Sequence, residues 1–207
     1  MYFFLDFDGT LIDVSEKYYR TYLDILTDDN QRSLDKYLYW ELKRSKMPEK
    51  LIHQISGAVV PDFSNKRKRI IETDSYQKFD VLIPGADETL RTLSGKGKLI
   101  LVTLRHSHEH VLKQLKNLGI HDYFEAILSS GNEEEPKWKI KQEMIQRYFN
   151  QILPEESVLI GDTETDILAG KAFNFKTVGV LSGMRNYDYL SKVNPDVILP
   201  SFHHFNA

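Results

Sequence analysis

The sequence predicts an α/β fold in which a doubly wound parallel sheet carries helices on both faces. Two observations support this prediction: the apolar segments are short and nearly continuous, and helical periodicity fills the intervals between them from residue 84 onward. Near-continuous apolar runs are typical of parallel strands covered on both faces, and their alternation with helices indicates a doubly wound sheet. A third observation, a long helical stretch directly after the first apolar run, predicts an inserted segment.

Six apolar segments are predicted to be the strands of this sheet. They are Tyr2–Phe7, Lys98–Thr103, Ala126–Leu128, Ser157–Ile160, Thr177–Leu181 and Asp196–Leu199. Helical spacing of apolar residues predicts the helices between them, which are Asp87–Leu93, His108–Leu118, Lys139–Phe149 and Asp166–Phe173. The charge and the proline of residues 132–136 predict a loop.

The segment between the first strand and residue 82 differs in composition from the remainder. It has helical periodicity, few strand signals, and many tyrosines and lysines, and Pro84-Gly85 marks the return to the α/β pattern. The sequence therefore predicts two domains. Residues 1–13 and 83–207 would form the sheet domain, and residues 14–82 would form an inserted helical domain.

The composition excludes several classes of protein. The formal net charge of −3 does not favour a nucleic-acid partner. The absence of cysteine excludes disulfides, thiolate nucleophiles and cysteine-based zinc sites, and it fits a reducing cytoplasm. No apolar stretch approaches the ~20 residues of a membrane span, and no basic region precedes the first apolar run. We therefore expect a cytoplasmic protein with no membrane partner, and the sequence does not predict its oligomeric state.

Polar side chains stand at the carboxyl ends of three predicted strands. Asp6 and Asp8 are at the end of the first, Thr103 ends the second, and Asp162 and Asp166 follow the strand SVLI. Ligands of open α/β sheets bind at this edge, where the ends of parallel strands converge. Four carboxylates in one crevice repel one another, and Mg²⁺, which takes oxygen ligands, would relieve that repulsion. The pattern therefore predicts a Mg²⁺ site.

A lysine ahead of the strand SVLI adds a cation to this set. Lys137 is the favoured candidate, and Lys139 is its near neighbour. An ammonium and a threonine hydroxyl beside a divalent cation suit a phosphoryl group. One carboxylate could then attack phosphorus to form an aspartyl-phosphate, while its neighbour protonates the leaving oxygen and later activates water.

Four motifs in this order resemble those of the haloacid dehalogenase (HAD) superfamily. DFDGT matches the D-x-D-x-T signature, LILVT matches the second motif, and GDTETD resembles the fourth motif, G-D-x-x-x-D. Lys137 stands 25 residues before Asp162, where the third-motif lysine is expected. The resemblance covers residues 1–13 and about 83–207 and implies a Rossmann-like core. The helical insert looks like the C1-type cap of phosphoglycolate phosphatase-like members.

The resemblance implies a role for each residue of the first motif. Asp6 would be the nucleophile and a Mg²⁺ ligand. Asp8 would be the acid and base, with its backbone carbonyl on the metal. Gly9 would allow the tight turn after the strand, and Thr10 would brace this substrate-binding loop.

The resemblance also implies roles for the other motifs. Thr103 and Lys137 would bind the phosphoryl oxygens of the substrate. Asp162 would ligate Mg²⁺ directly. Asp166 would support the metal indirectly, either by contacting a direct ligand or through a water. Many relatives have Lys-Pro at the third motif, whereas this chain reads Pro136-Lys137-Trp138-Lys139, which leaves Lys139 as the alternative.

The predicted function is Mg²⁺-dependent hydrolysis of a small phosphorylated metabolite through an aspartyl-phosphate. A phosphomutase acting on a sugar phosphate would use the same catalytic residues. A non-catalytic binding protein with the same fold is a further alternative, although every catalytic position is filled.

Two groups of basic residues in the insert have alternative interpretations. Lys43, Arg44 and Lys46 precede Met47-Pro48, where a loop between helices could bring one of them to a substrate anion. The run at residues 66–69, KRKR, is expected to be a solvated helix face rather than a nucleic-acid site, because the net charge is negative.

Overall fold

Six parallel strands form the central sheet of the protein, whose computed structural model describes residues 1–28, 31–131, 136–150 and 156–206. In chain order, the strands of the protein are β1 (Tyr2–Leu5), β2 (Ile12–Asp13), β3 (Val81–Leu82), β4 (Lys98–Thr103), β5 (Phe124–Ser129), β6 (Ser157–Gly161), β7 (Lys176–Val180) and β8 (Val197–Leu199). The sheet order is β5-β4-β1-β6-β7-β8. β1 therefore lies in the middle, hydrogen-bonded to β4 and β6.

Helices cover the sheet and fill the insert. They are α1 (Ser15–Asp28), α2 (Lys36–Arg44), α3 (Glu49–Ile55), α4 (Phe63–Ile70), α5 (Asp74–Gln77), α6 (Ala86–Ser94), α7 (His108–Asn117), α8 (Lys137–Tyr148), α9 (Glu164–Ala172) and α10 (Tyr187–Leu190). Short 3₁₀ turns occur at His121–Tyr123, Ser191–Val193 and Phe202–His204. Within the described part of the chain, none of the helices has both the length and the apolar character needed to cross a membrane.

The structure confirms the predicted doubly wound sheet, with shifts at some element ends. β1 ends at Leu5, so Asp6 and Asp8 lie in the loop beyond it. α8 begins at Lys137, two residues earlier than predicted. The loop predicted at 132–136 falls, apart from Pro136, outside the described residues. β2 and β3 were not predicted, because two-residue strands carry no periodic signal.

The near-continuous apolar sequence of β1 follows from burial on both sides of the sheet. Successive side chains of a strand point to opposite faces. Phe3 and Leu5 pack in the cluster on one face, and Phe4 packs in the cluster on the other. All three are fully buried. Both faces of the central strand therefore require apolar residues, and the first polar positions come where the strand ends.

The insert has a hydrophobic cluster of its own. Its buried members are Tyr22, Ile25, Leu26, Tyr39, Ile52, Ala58 and Phe63. The ring centroids of Tyr22 and Tyr39 lie 4.3 Å apart in a stacked arrangement. The chain enters and leaves the insert through the antiparallel pair β2–β3. A separate helical domain requires a hydrophobic cluster of its own, as found here. The domain boundaries at residues 14 and 82 stay a prediction.

The two stacked tyrosines provide a matched test of this cluster. The hydroxyl of Tyr22 accepts a hydrogen bond from the Leu34 backbone N–H at 3.0 Å, whereas the buried hydroxyl of Tyr39 has no hydrogen-bond partner among the described residues. Tyr39→Phe should therefore raise the free energy of unfolding by about 1 kcal/mol, and Tyr22→Phe should lower it by a similar amount. Urea unfolding of both variants would measure this, and equal effects of the same sign would contradict the assigned geometry.

Candidate active site

The loop after β1 places Asp6 at the carboxyl edge of the sheet. Its backbone N–H donates to the carbonyl of Ile160 in β6 at 3.0 Å, which continues the parallel pairing. The Thr10 hydroxyl donates to Asp6 Oδ2 at 3.3 Å. Gly9 has φ +83°, and a Cβ there would lie 2.3 Å from Asp162 Oδ2. The turn therefore requires glycine for its conformation and for the close approach of Asp162.

The end of β6 carries the other two carboxylates of the site. Asp162 is 1% exposed, and its Oδ2 accepts a hydrogen bond from the Met184 backbone N–H at 2.5 Å. Asp166 lies in the first turn of α9, and its Oδ2 accepts from the Thr163 N–H at 3.1 Å and from the Thr163 hydroxyl at 2.7 Å. One oxygen of Asp166 thus stabilises the helix N-terminus, and the other faces the site.

Asp6, Asp162 and Asp166 form a buried acidic cluster whose facing oxygens all lie within 4.8 Å of one another. Burial raises the pKa of Asp6 to about 7, with Lys141 opposing this shift and the Asp166 carboxylate adding to it. Burial and the same neighbouring carboxylates raise the pKa of Asp162 well above its usual range. Asp162 Oδ1 is buried and has no hydrogen-bond partner within the described ranges. An unpartnered oxygen among hard oxygen donors fits a divalent cation such as Mg²⁺.

Lys141 is the cation that contacts this cluster. Its Nζ lies 2.5 Å from Asp6 Oδ1 and 2.6 Å from Asp166 Oδ1, and its side chain is 3% exposed. Burial opposes its charge, but the carboxylates of Asp166 and Asp6 outweigh burial and raise the pKa of Lys141. Lys141 therefore holds a fixed positive charge against the floor of the site.

This placement differs from the one expected for Lys137. Lys137 is the exposed first residue of α8 and lines the edge of the cavity, and the Lys139 ammonium lies 5.7 Å from the centre of the Trp138 ring. Lys141 follows Lys137 by one helical turn, which carries it along the same side of α8 to the buried carboxylates. It shares the buried face with Ile145, so a lysine within an apolar stripe was the available signal.

Asp8 lies outside the acidic cluster and forms ion pairs of its own. Arg105 donates to both of its oxygens, from Nε to Oδ2 at 2.7 Å and from Nη2 to Oδ1 at 2.6 Å. Lys17 Nζ lies 3.1 Å from Asp8 Oδ1. Burial would raise the pKa of Asp8, but Arg105 and Lys17 outweigh it and hold that pKa well below its usual range. The two cations thus favour the ionised form of Asp8.

Arg105 and Lys17 also share a second carboxylate, Asp80, which is fully buried. Asp80 Oδ2 accepts from Lys17 at 2.8 Å, from Arg105 at 2.9 Å and from Gln114 Nε2 at 2.8 Å. Lys17 lies at the start of the insert and Asp80 at its end, so this network ties both ends of the insert to Asp8. Sequence reasoning missed all three partners of Asp8 and Asp80, which are Lys17, Arg105 and Gln114. The one local signal was that Lys17 occupies the buried face of α1.

A cavity of about 770 Å³ lies above the acidic cluster. Asp6, Thr103, Lys141 and Asp162 line it from the sheet side. Thr103 ends β4 and is 2% exposed, and its hydroxyl oxygen accepts from the Arg105 backbone N–H at 3.4 Å. The cavity thus brings together the predicted Thr103, Asp6, Asp8 and Asp162, and both Lys137 and Lys141 line it.

The insert forms the opposite wall of the cavity. Tyr18, Lys43, Lys46 and Arg67 line it from that side. Lys46 Nζ lies 2.6 Å from Glu164 Oε1 at the start of α9, which joins the insert to the sheet domain. The cavity therefore lies between the sheet domain, whose wall carries carboxylates together with Lys141 and Arg185, and the insert, whose wall is mainly basic.

The crevice lies at the carboxyl ends of β1, β4 and β6. Comparisons with known proteins identify the class of hydrolase to which the chain belongs. The haloacid dehalogenase-like hydrolase family matches residues 3–180 of the chain, so the protein belongs to that family. Pyrophosphatase PpaX of Bacillus pumilus is 29% identical over 207 residues, which cover 94% of this chain and 89% of the relative. A phosphoglycolate phosphatase of Nitrosococcus oceani is 26% identical over 209 residues, which cover 95% and 91% of the two chains.

Solved structures agree with the fold. A haloacid dehalogenase-like hydrolase of Streptococcus pneumoniae aligns with a TM-score of 0.75 at 23% identity, covering 95% of this chain and 92% of the other. The predicted family and fold are therefore confirmed. The relatives named as a phosphatase and a pyrophosphatase confirm the predicted enzyme class.

The acidic cluster predicts a pH-dependent stabilisation by Mg²⁺. Folding raises the pKa of Asp6 from 3.8 to about 7, so the metal-free folded state binds this proton more tightly than the unfolded state does. That stability is present at low pH and is lost as the pH rises towards 7. A cation that binds the ionised cluster should restore it, because metal and protons compete for the same oxygens. The rise in melting temperature with excess MgCl₂ over EDTA should therefore be larger at about pH 8 than at about pH 5.

Asp162→Asn is the matched variant for this experiment, because it removes one negative charge and one ligand with little change in volume. It should reduce the Mg²⁺-induced shift. A shift that is independent of pH, or the same in wild type and Asp162→Asn, would contradict a metal site at this cluster.

Proposed function

We propose that the protein is a Mg²⁺-dependent phosphatase that hydrolyses a small phosphorylated metabolite through an aspartyl-phosphate on Asp6. The observation that carries this proposal is the cluster of Asp6, Asp162 and Asp166 with Lys141 against it, at the base of an enclosed cavity. The names of the relatives support phosphoryl chemistry. The absence of cysteine supports a cytoplasmic setting for the enzyme.

Asp6 is the proposed nucleophile. Thr10 and Lys141 contact its two oxygens from different sides and so fix the orientation of the carboxylate. Held by Asp6, Asp162 and Asp166, a divalent cation would offset their charge and polarise the phosphoryl group. The Thr103 hydroxyl and the Lys141 ammonium are placed to bind phosphoryl oxygens at the same edge of the sheet. We therefore assign to Lys141 the role that the sequence analysis gave to Lys137.

Asp8 is the proposed acid and base. Its ionised form, held by Arg105 and Lys17, suits the second half of the reaction, in which it takes a proton from the water that attacks the aspartyl-phosphate. In the first half, the same residue would have to carry a proton to the leaving oxygen. That step requires the contacts with Arg105 and Lys17 to weaken when substrate is bound.

The insert, residues 14–82, is the proposed cap. Besides the Lys46–Glu164 pair, Arg44 Nη2 donates to the Leu181 carbonyl at 2.9 Å, and the Glu72 carboxylate accepts from the His106 backbone N–H at 3.0 Å. The Lys46–Glu164 and Glu72–His106 contacts join residues that line the cavity. A cap held in this position would exclude water during the first transfer and select the substrate by the residues it contributes.

The nucleophile assignment is tested by Asp6→Asn. The variant should lose Mg²⁺-dependent phosphate release by more than about 10³-fold, because an amide oxygen is a far weaker nucleophile than a carboxylate. Phosphate release from a panel of phosphorylated metabolites, with MgCl₂ and with EDTA, measures this, and circular dichroism controls for folding. Full activity in the variant would exclude Asp6 as the nucleophile. Accumulated phosphoenzyme with a bisphosphate requirement in wild type would indicate a mutase instead.

The lysine assignment is tested by Lys141→Gln and Lys137→Gln, which make the same change one helical turn apart. Lys141→Gln should lower kcat/KM by about 10²-fold, the usual loss when a fixed charge at the reacting group is removed. Lys137→Gln should change kcat/KM by only a few-fold, since the Lys137 side chain lies at the exposed edge of the cavity. Steady-state kinetics of both proteins decide the matter, and the reverse order of effects would return the role to Lys137.

A further inference from the structure

Two cations of the insert project into the wall of the cavity opposite the acidic cluster. Lys43 in α2 and Arg67 in α4 both line the cavity, and their side chains are only 10% and 20% exposed. Both donate to the same oxygen, Oε1 of Glu49 in α3. Arg67 thus departs from the expectation that residues 66–69 form a solvated face, whereas Arg69, two positions on, is exposed.

Tyr18 lies beneath both cations and connects them to the catalytic side of the cavity. The Lys43 ammonium is 5.7 Å from the centre of the Tyr18 ring, and the Arg67 guanidinium carbon is 5.8 Å from it. Burial raises the pKa of Tyr18 to about 12, with Arg67 opposing this and the carboxylates of Asp8 and Asp162 adding to it. The ring packs against both the hydrophobic cluster of the insert and that of the sheet domain, so it lies where the insert and the sheet domain meet.

The charges of this wall do not balance. Lys43 and Arg67 share one carboxylate, which leaves one net positive charge in a buried setting. His53 lies 4.0 Å from the other Glu49 oxygen. Burial lowers the pKa of His53 and so favours its neutral form, which leaves the net charge of the group unchanged. That Glu49 oxygen is itself buried with no hydrogen-bond partner in the described part of the chain.

A second shared carboxylate lies where the insert meets the sheet domain. Glu164 pairs with the partly exposed Lys46 and with Arg185, at 2.6 and 2.7 Å. Burial lowers the pKa of Lys43, Glu49 opposes this shift, and the positive charges of Arg67 and Arg185 add to it. A merely structural ion cluster would pair its charges one to one, since an uncompensated buried charge destabilises the fold. The open side of this cluster is the cavity, so the balancing charge has room to come from a ligand.

We propose that Lys43 and Arg67 form a subsite for a second anionic group of the substrate, a carboxylate or a phosphoryl group, at the end remote from the phosphoryl group on Asp6. This inference rests on the proposed phosphatase function and narrows its substrate class to small phosphorylated molecules with two anionic groups. Tyr18 separates the two subsites and packs against the portion of the substrate between them.

The test compares probes that differ in the second anion. Phosphoglycolate carries a carboxylate, pyrophosphate carries a second phosphoryl group, and ethyl phosphate carries neither. Wild type should prefer at least one two-anion probe to ethyl phosphate by about 10-fold or more in kcat/KM. Lys43→Gln and Arg67→Gln should each lower kcat/KM for that probe by about 10- to 100-fold, mostly through KM, and change ethyl phosphate turnover by less than about 3-fold. The favoured probe identifies the second anion as a carboxylate or a phosphoryl group.

Arg69→Gln is the matched control, because it makes the same substitution on the same helix at an exposed position outside the cavity. It should leave all three probes unchanged. Arg67→Lys and Lys43→Arg keep the charge and should retain most of the preference for the two-anion probe. Equal losses for the one-anion and two-anion probes, or no preference in wild type, would overturn the subsite.

Failure of the proposed phosphatase function would have a different signature, namely no Mg²⁺-dependent turnover of any probe by wild type. In that case, titration calorimetry of phosphoglycolate and pyrophosphate with the Asp6→Asn protein, alone and combined with Arg67→Gln, tests the subsite without turnover. Weaker binding in the double variant would support the subsite, and unchanged binding would overturn it.

Discussion

Burial of three carboxylates at the end of the central strand is the constraint on which the rest of this structure depends. Asp6, Asp162 and Asp166 approach one another because the carboxyl ends of β1 and β6 are adjacent, and adjacency of strand ends is a property of the sheet. Each carboxylate loses its hydration when it is buried there, and a buried charge needs a compensating charge or a metal ion. The position of Lys141 on α8 follows from that requirement, and Gly9 leaves the space that the Asp162 side chain occupies. The same requirement favours a divalent cation in the site.

Two aspartates of the same motif, two residues apart, have opposite electrostatic surroundings. Asp6 faces other carboxylates, and Asp8 faces Arg105 and Lys17. The turn at Gly9 and the short reach of an aspartate side chain are enough to separate these surroundings. These surroundings favour a protonated Asp6 and an ionised Asp8, which is the reverse of what the first transfer of the proposed mechanism needs. The proposal therefore requires a bound cation to ionise Asp6, and a bound substrate to weaken the ion pairs of Asp8.

The parts of the site that the sequence predicted are those that local pattern determines. Apolar runs followed at once by Asp6, Thr103 and Asp162 indicate strand ends, and parallel strand ends converge. Lys137 was favoured on its spacing from Asp162, and that spacing does not determine which lysine of α8 faces the buried carboxylates. The partners of Asp8 were out of reach for a different reason. Arg105 is 97 residues from Asp8, and Asp80 is 63 residues from Lys17. Pairing over such distances is set by the tertiary fold and leaves no periodic trace.

The pairing of β2 with β3 has a consequence for engineering the enzyme. Ile12 lies opposite Leu82 and Asp13 opposite Val81, so the chain leaves the sheet domain and returns to it at neighbouring points. Segments whose ends lie close together can be exchanged between proteins with little strain on the host. Exchange of this insert would break ion pairs between the two parts of the chain. Lys17 and Asp80 belong to the insert, whereas their partners Asp8 and Arg105 belong to the sheet domain. A foreign insert without an equivalent pair would leave a guanidinium and a carboxylate of the host with altered partners. The compatibility of a chimera would then depend on two residues close to the joints rather than on the surface that meets the substrate.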